Sequence, residues 1–261
     1  MRFRGYIDDV PKPMVPIGTR PILWHLMRYY AHFGHKDFIL CLGYKGNSVK
    51  DYFLHYDESV SNDFVWSQGG RKIDYLKRDI EDWTITFVET GANSSIGERL
   101  KAVEPYLQGE EMFLANYGDG LSDLSLPAML ETFQSSSAIA SLLLVRPTAS
   151  FDIVETGPGG IVRDVRPLTR SEIWINGGFF ALRNEIFRYI YPGEELIHEP
   201  FRRLIEKRAL MAYEYTGFWQ CMDTFKDKQR LDDLNQGAAP WKVWLNAAAP
   251  VTEPAPLAVN A

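Results

Sequence analysis

Apolar positions follow helical spacing in some segments and form short continuous runs in others. Residues 21–33 repeat apolar side chains every three or four positions, start with a proline and stop at Gly34, which predicts a helix. Further helices are predicted around Val49 and at 97–107, 126–133 and 223–235. Apolar runs predict buried strands at 37–42, 84–88, 112–117, 138–145, 177–182 and 210–213. This alternation indicates βαβ units and an α/β fold with a mostly parallel sheet.

Three segments break the alternation. Residues 57–82 are polar, contain glycine and are only weakly periodic, so we expect a small β excursion that carries a hairpin. Residues 151–165 predict a second hairpin, turned at 157–160. The segment 245–261 is rich in Ala and Pro and predicts a disordered tail after one domain over 1–244.

Composition excludes several classes of function. The net charge is −6 and no basic tract occurs, which argues against a nucleic-acid partner. The two cysteines make no disulfide framework, and no apolar run approaches the roughly twenty residues that cross a bilayer. With no visible signal peptide, we expect a cytoplasmic protein without a membrane partner.

Two acidic positions follow apolar strands. Asp119 lies between two glycines at the end of the strand 112–117, where ligands bind in α/β sheets and where a carboxylate can hold Mg²⁺. Taken alone, Gly118-Asp119-Gly120 is more typical of a solvated turn. Asp223 ends an aromatic run and precedes a helix, and alone it is more typical of a helix N-cap.

Three further features are compatible with phosphate or sugar binding. Lys12 lies between two prolines, and a stiff backbone suits a cation that meets a phosphate without rearranging, although an ordinary loop lysine fits too. The loop 90–99 leads into a helix N-terminus, which favours anions but is more often simply capped. Asn176 precedes two glycines, so its amide could pair with sugar hydroxyls or form a β-turn.

The order of these motifs over residues 1–244 resembles glucose-1-phosphate cytidylyltransferases, a family of sugar-phosphate nucleotidyltransferases. The motifs are Lys12-Pro13-Met14, Pro21-Ile22-Leu23-Trp24-His25, Gly43-Tyr44-Lys45-Gly46, Tyr117-Gly118-Asp119-Gly120, Asn176-Gly177-Gly178-Phe179-Phe180, Gly217-Phe218-Trp219-Gln220-Cys221-Met222-Asp223-Thr224 and Pro240-Trp241-Lys242-Val243-Trp244.

The resemblance implies a Rossmann-like, mostly parallel sheet flanked by helices, of the nucleotide-diphospho-sugar transferase type. It implies transfer of a nucleotidyl group from CTP to a sugar 1-phosphate, glucose 1-phosphate in the family, with release of pyrophosphate. It also implies Mg²⁺ as the cofactor and a homo-oligomer. By matched position, it assigns Arg2 and Lys12 to catalysis, Asp119 and Asp223 to the metal, Gly97, Arg99 and Asp119 to the nucleotide, and Arg166, Asn176 and Glu199 to the sugar phosphate.

The chain departs from the family pattern in two regions. The family's opening strand and Gly-Gly-x-Gly turn have no counterpart before Met1, and we expect the coding sequence to start further upstream. Val165-Arg166-Pro167 replaces Glu-Lys-Pro, and Phe151 lacks the glycine that follows it in the family order. The second set of changes falls on the sugar side, so one alternative is another sugar. The missing counterpart of the glycine turn leaves open dTTP or UTP in place of CTP and, together with the changes at Val165 and Arg166, a non-catalytic relative that binds nucleotide.

Overall fold

A computed structural model describes residues 10–148 and 150–245. Arg2 and the predicted tail beyond residue 245 lie outside the described residues. The described part contains six α-helices, of which the helix at 199–206 was not predicted from the sequence. The helices are α1 (Ile22–His32), α2 (Gly46–Leu54), α3 (Ile96–Val103), α4 (Leu126–Gln134), α5 (Glu199–Glu206) and α6 (Phe225–Gln236).

Fourteen strands occur in the same ranges, and most of the long ones match the predicted apolar runs. They are β1 (Pro16–Ile17), β2 (Arg20–Pro21), β3 (Asp37–Leu42), β4 (Phe64–Ser67), β5 (Lys72–Tyr75), β6 (Thr84–Glu89), β7 (Met112–Asn116), β8 (Gly120–Ser122), β9 (Ala140–Val145), β10 (Asp152–Thr156), β11 (Val162–Pro167), β12 (Ile175–Arg183), β13 (Leu210–Tyr215) and β14 (Trp219–Cys221).

The predicted α/β class is confirmed, and the sheet is mixed. A four-stranded sheet has the order β13-β9-β12-β7, and β3 pairs separately with β6. The β3·β6 and β13·β9 pairs are parallel, whereas β12 is antiparallel to both of its neighbours. The direction of β12 follows from its connection: only a hairpin lies between β9 and β12, and a parallel return needs a crossover, usually through a helix.

Both predicted hairpins are present. β4 pairs with β5 inside the excursion, and β10 pairs with β11. The β4·β5 hairpin carries Phe64, Trp66 and Ile73 on one face, because Phe64 and Trp66 are two residues apart and Ile73 lies opposite Trp66. All three side chains are exposed to solvent.

The core lies on both faces of the four-stranded sheet. Phe179 and Ala181 of β12 belong to one apolar cluster, which includes buried side chains of α1 and α4. The alternate residues Phe180 and Leu182 belong to the other, with buried side chains of α3 and α5. Successive strand residues point to opposite faces, so helices cover the sheet on both sides.

A cavity of about 480 Å³ lies between the two parts of the sheet. β3 lines it with Leu40 and Leu42, and β7 lines it with Ala115 and Asn116. Among the described strands, β3 pairs only with β6 and β7 pairs only with β12, so each has one edge without a strand partner. The carboxyl ends of β3 and β7 therefore border an open cleft, the place where α/β proteins bind ligands.

An aromatic cluster fixes the segment after α6 against α1. Trp241 is fully buried, and its indole Nε1–H donates to His25 Nδ1 at 3.4 Å. Because an indole nitrogen only donates, His25 carries its proton on Nε2, which lies 3.0 Å from the carbonyl oxygen of Ile17. Both ring nitrogens of His25 are thus satisfied, and burial lowers its pKa to about 4.

A buried ionic network joins the start of α1 to the end of the excursion. Arg20 and Asp79 are both buried, and Arg20 Nη2 lies 3.9 Å from Asp79 Oδ2. Asp79 also accepts a hydrogen bond from the Tyr56 hydroxyl at 3.1 Å, and Arg20 Nε donates to Ser61 Oγ at 3.0 Å.

None of the helices in residues 10–148 and 150–245 is long and apolar enough to cross a bilayer.

We predict that Asp79→Ala lowers the free energy of unfolding by about 3 kcal/mol, since it leaves the Arg20 charge buried without its carboxylate. Urea unfolding measures this change. The matched control is Asp82→Ala, which removes an exposed partner of Lys36 and should cost less than about 1 kcal/mol. Equal losses in the two variants would contradict the assigned role of Asp79.

Candidate active site

Lys12 joins two carboxylates that are distant in the chain. Its ammonium nitrogen lies 2.6 Å from Asp223 Oδ1 and 3.4 Å from Asp119 Oδ2. Lys12 begins a short 3₁₀ turn, Lys12–Met14, between Pro11 and Pro13, so the backbone that presents the side chain has little freedom. These three residues form what we call the charge triad.

Strand pairing brings the two aspartates together. Asp119 directly precedes β8, Asp223 follows β14, and these strands pair with Gly120 opposite Cys221. The Met222 amide also donates to the carbonyl oxygen of Asp119 at 2.9 Å. The N-cap of α6 is Thr224, which forms a capping box with Asp227, so the Asp223 carboxylate is not used for capping.

Burial and the charges of the triad together shift the pKa values of all three groups. Burial raises the pKa of Asp119, and this effect exceeds the attraction of Lys12. The hydrogen bond from Lys12 lowers the pKa of the Asp223 carboxyl. Burial alone would lower the pKa of Lys12, but its hydrogen bonds to the two carboxylates and their charges together raise it.

The donor set of the triad fits a divalent cation. Two ionised carboxylates and one ammonium leave an excess negative charge, and Mg²⁺ prefers oxygen ligands of this kind. No cluster of three or more His, Cys, Asp or Glu side chains suited to a metal occurs among the residues that the structure describes. A magnesium ion held by Asp119 and Asp223 would therefore complete its coordination with water and substrate phosphate oxygens.

The triad borders the cleft between β3 and β7. Lys12, Gly118 and Asp119 line the cleft together with the predicted nucleotide-binding residue Arg99. Arg99 Nη1 donates to Thr90 Oγ1 at 2.9 Å, which holds the guanidinium against the loop that ends β6. The N-cap of α3 is Ser95, in a capping box with Glu98, so the loop 90–99 performs ordinary capping.

Tyr117 and Glu195 belong to this region and were not assigned from the sequence. Asn176, which was assigned to the sugar, donates from Nδ2 to the Tyr117 hydroxyl at 3.2 Å, and its Oδ1 accepts from the Gly178 amide at 2.9 Å. Burial and the nearby Glu195 charge both raise the pKa of Tyr117, although the hydrogen bond to Asn176 opposes this. Tyr117 could have been found from its place in the Tyr-Gly-Asp-Gly motif.

Arg166 and Glu199 do not line the cleft. Arg166 lies on β11 in the exposed hairpin and pairs with Glu155 and Asp164. Glu199 begins α5, where its charge acts on Arg203. Both remain assignments that rest on the family resemblance.

Cys221 borders the triad but has no feature of a nucleophile. Its thiol lies 3.2 Å from Asp223 Oδ2, and burial raises its pKa to about 12. The group therefore stays a neutral thiol at physiological pH, which weakens it as a nucleophile and as a metal ligand.

The fold defines a class of protein. The chain superposes on the solved structure of a UDP-glucose pyrophosphorylase complexed with UDP-glucose with a TM-score of 0.61, at 15% identity, over 87% of this chain and 90% of that one. This likeness identifies the fold as that of sugar nucleotidyltransferases. No protein-family model matches the chain.

Sequence comparison then identifies the family. Glucose-1-phosphate cytidylyltransferases of Salmonella typhi and Salmonella typhimurium are each 39% identical over 237 residues, which cover 90% of this chain and 91% of each relative. The chain belongs to the glucose-1-phosphate cytidylyltransferase family.

Gly97, predicted to bind the nucleotide, is buried in the first turn of α3 against backbone. A Cβ atom at this position would lie 2.4 Å from the carbonyl oxygen of Glu194 and 3.2 Å from the Leu196 amide nitrogen. The absence of a side chain thus allows α3 to approach the segment that carries Glu195.

We predict that Gly97→Ala lowers the melting temperature, because a 2.4 Å contact with backbone forces α3 and the segment 194–196 apart. The expected loss is about 1–3 kcal/mol, measured by thermal and urea unfolding. In the control Gly120→Ala, the nearest atom to the new Cβ is 3.7 Å away, and stability should change much less. If both variants are as stable as wild type, the close packing at Gly97 is not limiting.

Proposed function

We propose that this protein transfers a cytidylyl group from CTP to a sugar 1-phosphate, with glucose 1-phosphate as the first candidate, and releases pyrophosphate. The observation that supports this most strongly is the charge triad: Lys12 is shared between Asp119 and Asp223 at the carboxyl end of β7. The family membership supplies the choice of CTP and glucose 1-phosphate.

The proposed reaction is an in-line displacement at the α-phosphorus. An oxygen of the sugar 1-phosphate forms a bond to the α-phosphorus while the bond from the α-phosphorus to the bridging oxygen breaks, and pyrophosphate leaves with that electron pair. No covalent enzyme intermediate is needed, so the protein contributes positioning and charge stabilisation. Mg²⁺, held by Asp119 and Asp223, would neutralise charge on the triphosphate.

Lys12 has a second task in this proposal. If Asp119 and Asp223 held a divalent cation, the Lys12 ammonium would be free to contact the phosphate groups, where negative charge develops during transfer. The two flanking prolines restrict the backbone, so only the side chain has to move. Arg2 would add a second cation by family position.

The walls of the cleft suggest how the two substrates are separated. Arg99 and the apolar side chains of β3 and α3 line the part of the cleft that we assign to the nucleotide. Tyr117, which lines the cleft, and its hydrogen-bond partner Asn176, which does not, carry the polar groups that we assign to the sugar phosphate. Gly97 lets α3 pack closely against residues 194–196 beside the nucleotide part of the cleft. Glu199 and Arg166 would join the sugar side by family position.

A second candidate is the same transfer with another sugar phosphate or with dTTP or UTP. Another sugar phosphate is favoured by Arg166, which pairs with Glu155 and Asp164 in an exposed hairpin and does not line the cleft. A panel of nucleoside triphosphates and sugar 1-phosphates, with pyrophosphate release as the readout, distinguishes the two candidates.

We also propose that the protein self-associates and acts in the cytoplasm. The support for self-association is the apolar face of the β4·β5 hairpin, where 62% of Trp66 is exposed. The cytoplasmic location is an inference from the nucleotide substrate and the two unpaired cysteines.

We predict that Asp119→Asn and Asp223→Asn each reduce pyrophosphate release from CTP, Mg²⁺ and glucose 1-phosphate by about a hundredfold or more, because each removes one charge from the metal-binding pair. Unfolding should remain cooperative, since neither aspartate is fully buried. Asp74→Asn, which removes an exposed partner of Lys72, is the control and should keep full activity. Full activity in either variant would exclude the proposed metal role, and an inactive wild type with every substrate would exclude the transfer.

We predict that Lys12→Met binds Mn²⁺ about tenfold more tightly than wild type in the absence of nucleotide, because the ammonium no longer competes for the carboxylates. Electron paramagnetic resonance of free Mn²⁺ measures the affinity without any turnover. Lys36→Met, which frees the exposed Asp82, should leave the affinity unchanged. Equal or weaker binding by Lys12→Met would show that ammonium and metal do not share one position.

A further inference from the structure

A second and larger cavity lies on the other side of α1. It has a volume of about 770 Å³ and is lined by residues of α1, the end of the excursion, the last turn of α6 and the segment after α6. Leu23 of α1 lines the cleft, whereas its neighbour Trp24 lines this second cavity. We call it the basic pocket, and its defining residues are Arg28, Lys77, Arg78, Asn235, Lys242 and Trp244.

The basic pocket concentrates positive charge in an acidic protein. Four cations line it besides the buried Arg20, while Asp63 and Asp79 are its acidic lining residues. Asp79 is already engaged by Arg20, Tyr56 and Ser61. Asp63 is therefore the remaining lining carboxylate beside four cations, whereas the whole chain has a net charge of −6. A concave surface of one sign focuses its field on ligands of the opposite sign.

Lys242 is a half-buried cation of the pocket without a counter-charge among the described residues. Its side chain is half-buried, and among residues 10–148 and 150–245 no hydrogen-bond or ion-pair partner for its ammonium is found. Burial lowers the pKa of Lys242, and no carboxylate offsets that effect. The positive charge of Lys242 also contributes to the low pKa of His25. A partly desolvated cation without a counter-charge favours an anion beside it.

Asn235 supplies an unsatisfied acceptor on the same wall. Its Oδ1 is buried and has no hydrogen-bond partner, whereas most buried polar atoms in proteins are paired. Trp244 adds an aromatic surface next to the cations. The pocket therefore combines four cations, of which Lys242 has no hydrogen-bond or ion-pair partner among the described residues, with a flat aromatic side chain.

We propose that the basic pocket is a binding site for a phosphorylated small molecule, separate from the catalytic cleft. Lys242 and Arg28 bind the phosphate group, and Arg28 does so while its Nη1 donates to the carbonyl oxygen of Asp79 at 2.7 Å. Phosphate monoesters fit this site because several cations that line one cavity attract a compact dianion strongly. This inference does not depend on the proposed transfer reaction.

Inorganic phosphate is the probe for the first test. It is titrated into the full chain at constant ionic strength, and binding is followed by calorimetry and by tryptophan fluorescence, to which Trp244 contributes. The same titration is repeated with Lys12→Met, a substitution that removes the proposed phosphate contact in the catalytic cleft. We expect saturable binding in both proteins and a dissociation constant at least fivefold weaker in Lys242→Gln.

Lys207→Gln is the matched control, because it removes one lysine charge from the end of α5, outside the pocket. It should bind phosphate like wild type. Lys77→Gln is a second test variant with an exposed side chain, so its folding is not at risk if Lys242→Gln unfolds. Absence of binding, or equal affinity in wild type and both pocket variants, overturns the proposal.

The source of the phosphate is then resolved in the Lys12→Met background. Nucleoside monophosphates and glucose 1-phosphate are compared with inorganic phosphate, and the effect of Lys242→Gln is measured for each. Tighter binding of a nucleotide identifies a nucleotide site, and tighter binding of glucose 1-phosphate identifies a sugar-phosphate site. Equal affinities assign recognition to the phosphate group alone.

Discussion

The attraction between one ammonium and two carboxylates organises the candidate active site. Lys12 comes from the segment before α1, Asp119 from the end of β7, and Asp223 from the start of α6. Without a cation between them, the two aspartates would repel each other at the end of the paired strands β8 and β14. The two carboxylates are therefore stabilised by a positive charge between them, and Lys12 supplies that charge in this structure.

The cavity between β3 and β7 is the space that this charge arrangement faces. Among the strands of residues 10–148 and 150–245, β3 and β7 share no backbone ladder, and the carboxyl ends of both line one cavity. Helices cover both faces of the four-stranded sheet, which leaves its end as the accessible surface. The polar residues of the site are thus held by rigid elements, while the cleft between them remains free.

The sequence was sufficient for the fold class, and the structure brings together Lys12, Asp119 and Asp223, whose roles stay predictions like those of the sugar-side residues. Apolar periodicity predicted α1 and most long strands, because burial on both faces produces continuous apolar runs. It could not give the direction of β12, which depends on the connection from β9 through a hairpin. Lys12, Asp119 and Asp223 were each ambiguous alone and became persuasive through their order in the family. The close packing of Gly97 against backbone and the pairing of Arg166 with Glu155 and Asp164 depend on tertiary contacts that spacing does not reveal, and the ligand roles of both residues stay predictions.

The neutral His25 beneath Trp241 sets an acid limit on the fold. In the unfolded chain this imidazole would take up a proton below about pH 6.5, whereas in the folded protein its pKa is about 4. The contribution of neutral His25 to the free energy of unfolding is therefore fully present above about pH 6.5. It is lost as the pH falls towards 4, by up to about 3 kcal/mol. Protonation of His25 would thus weaken the packing of the segment after α6 against α1, and that segment also forms one wall of the basic pocket.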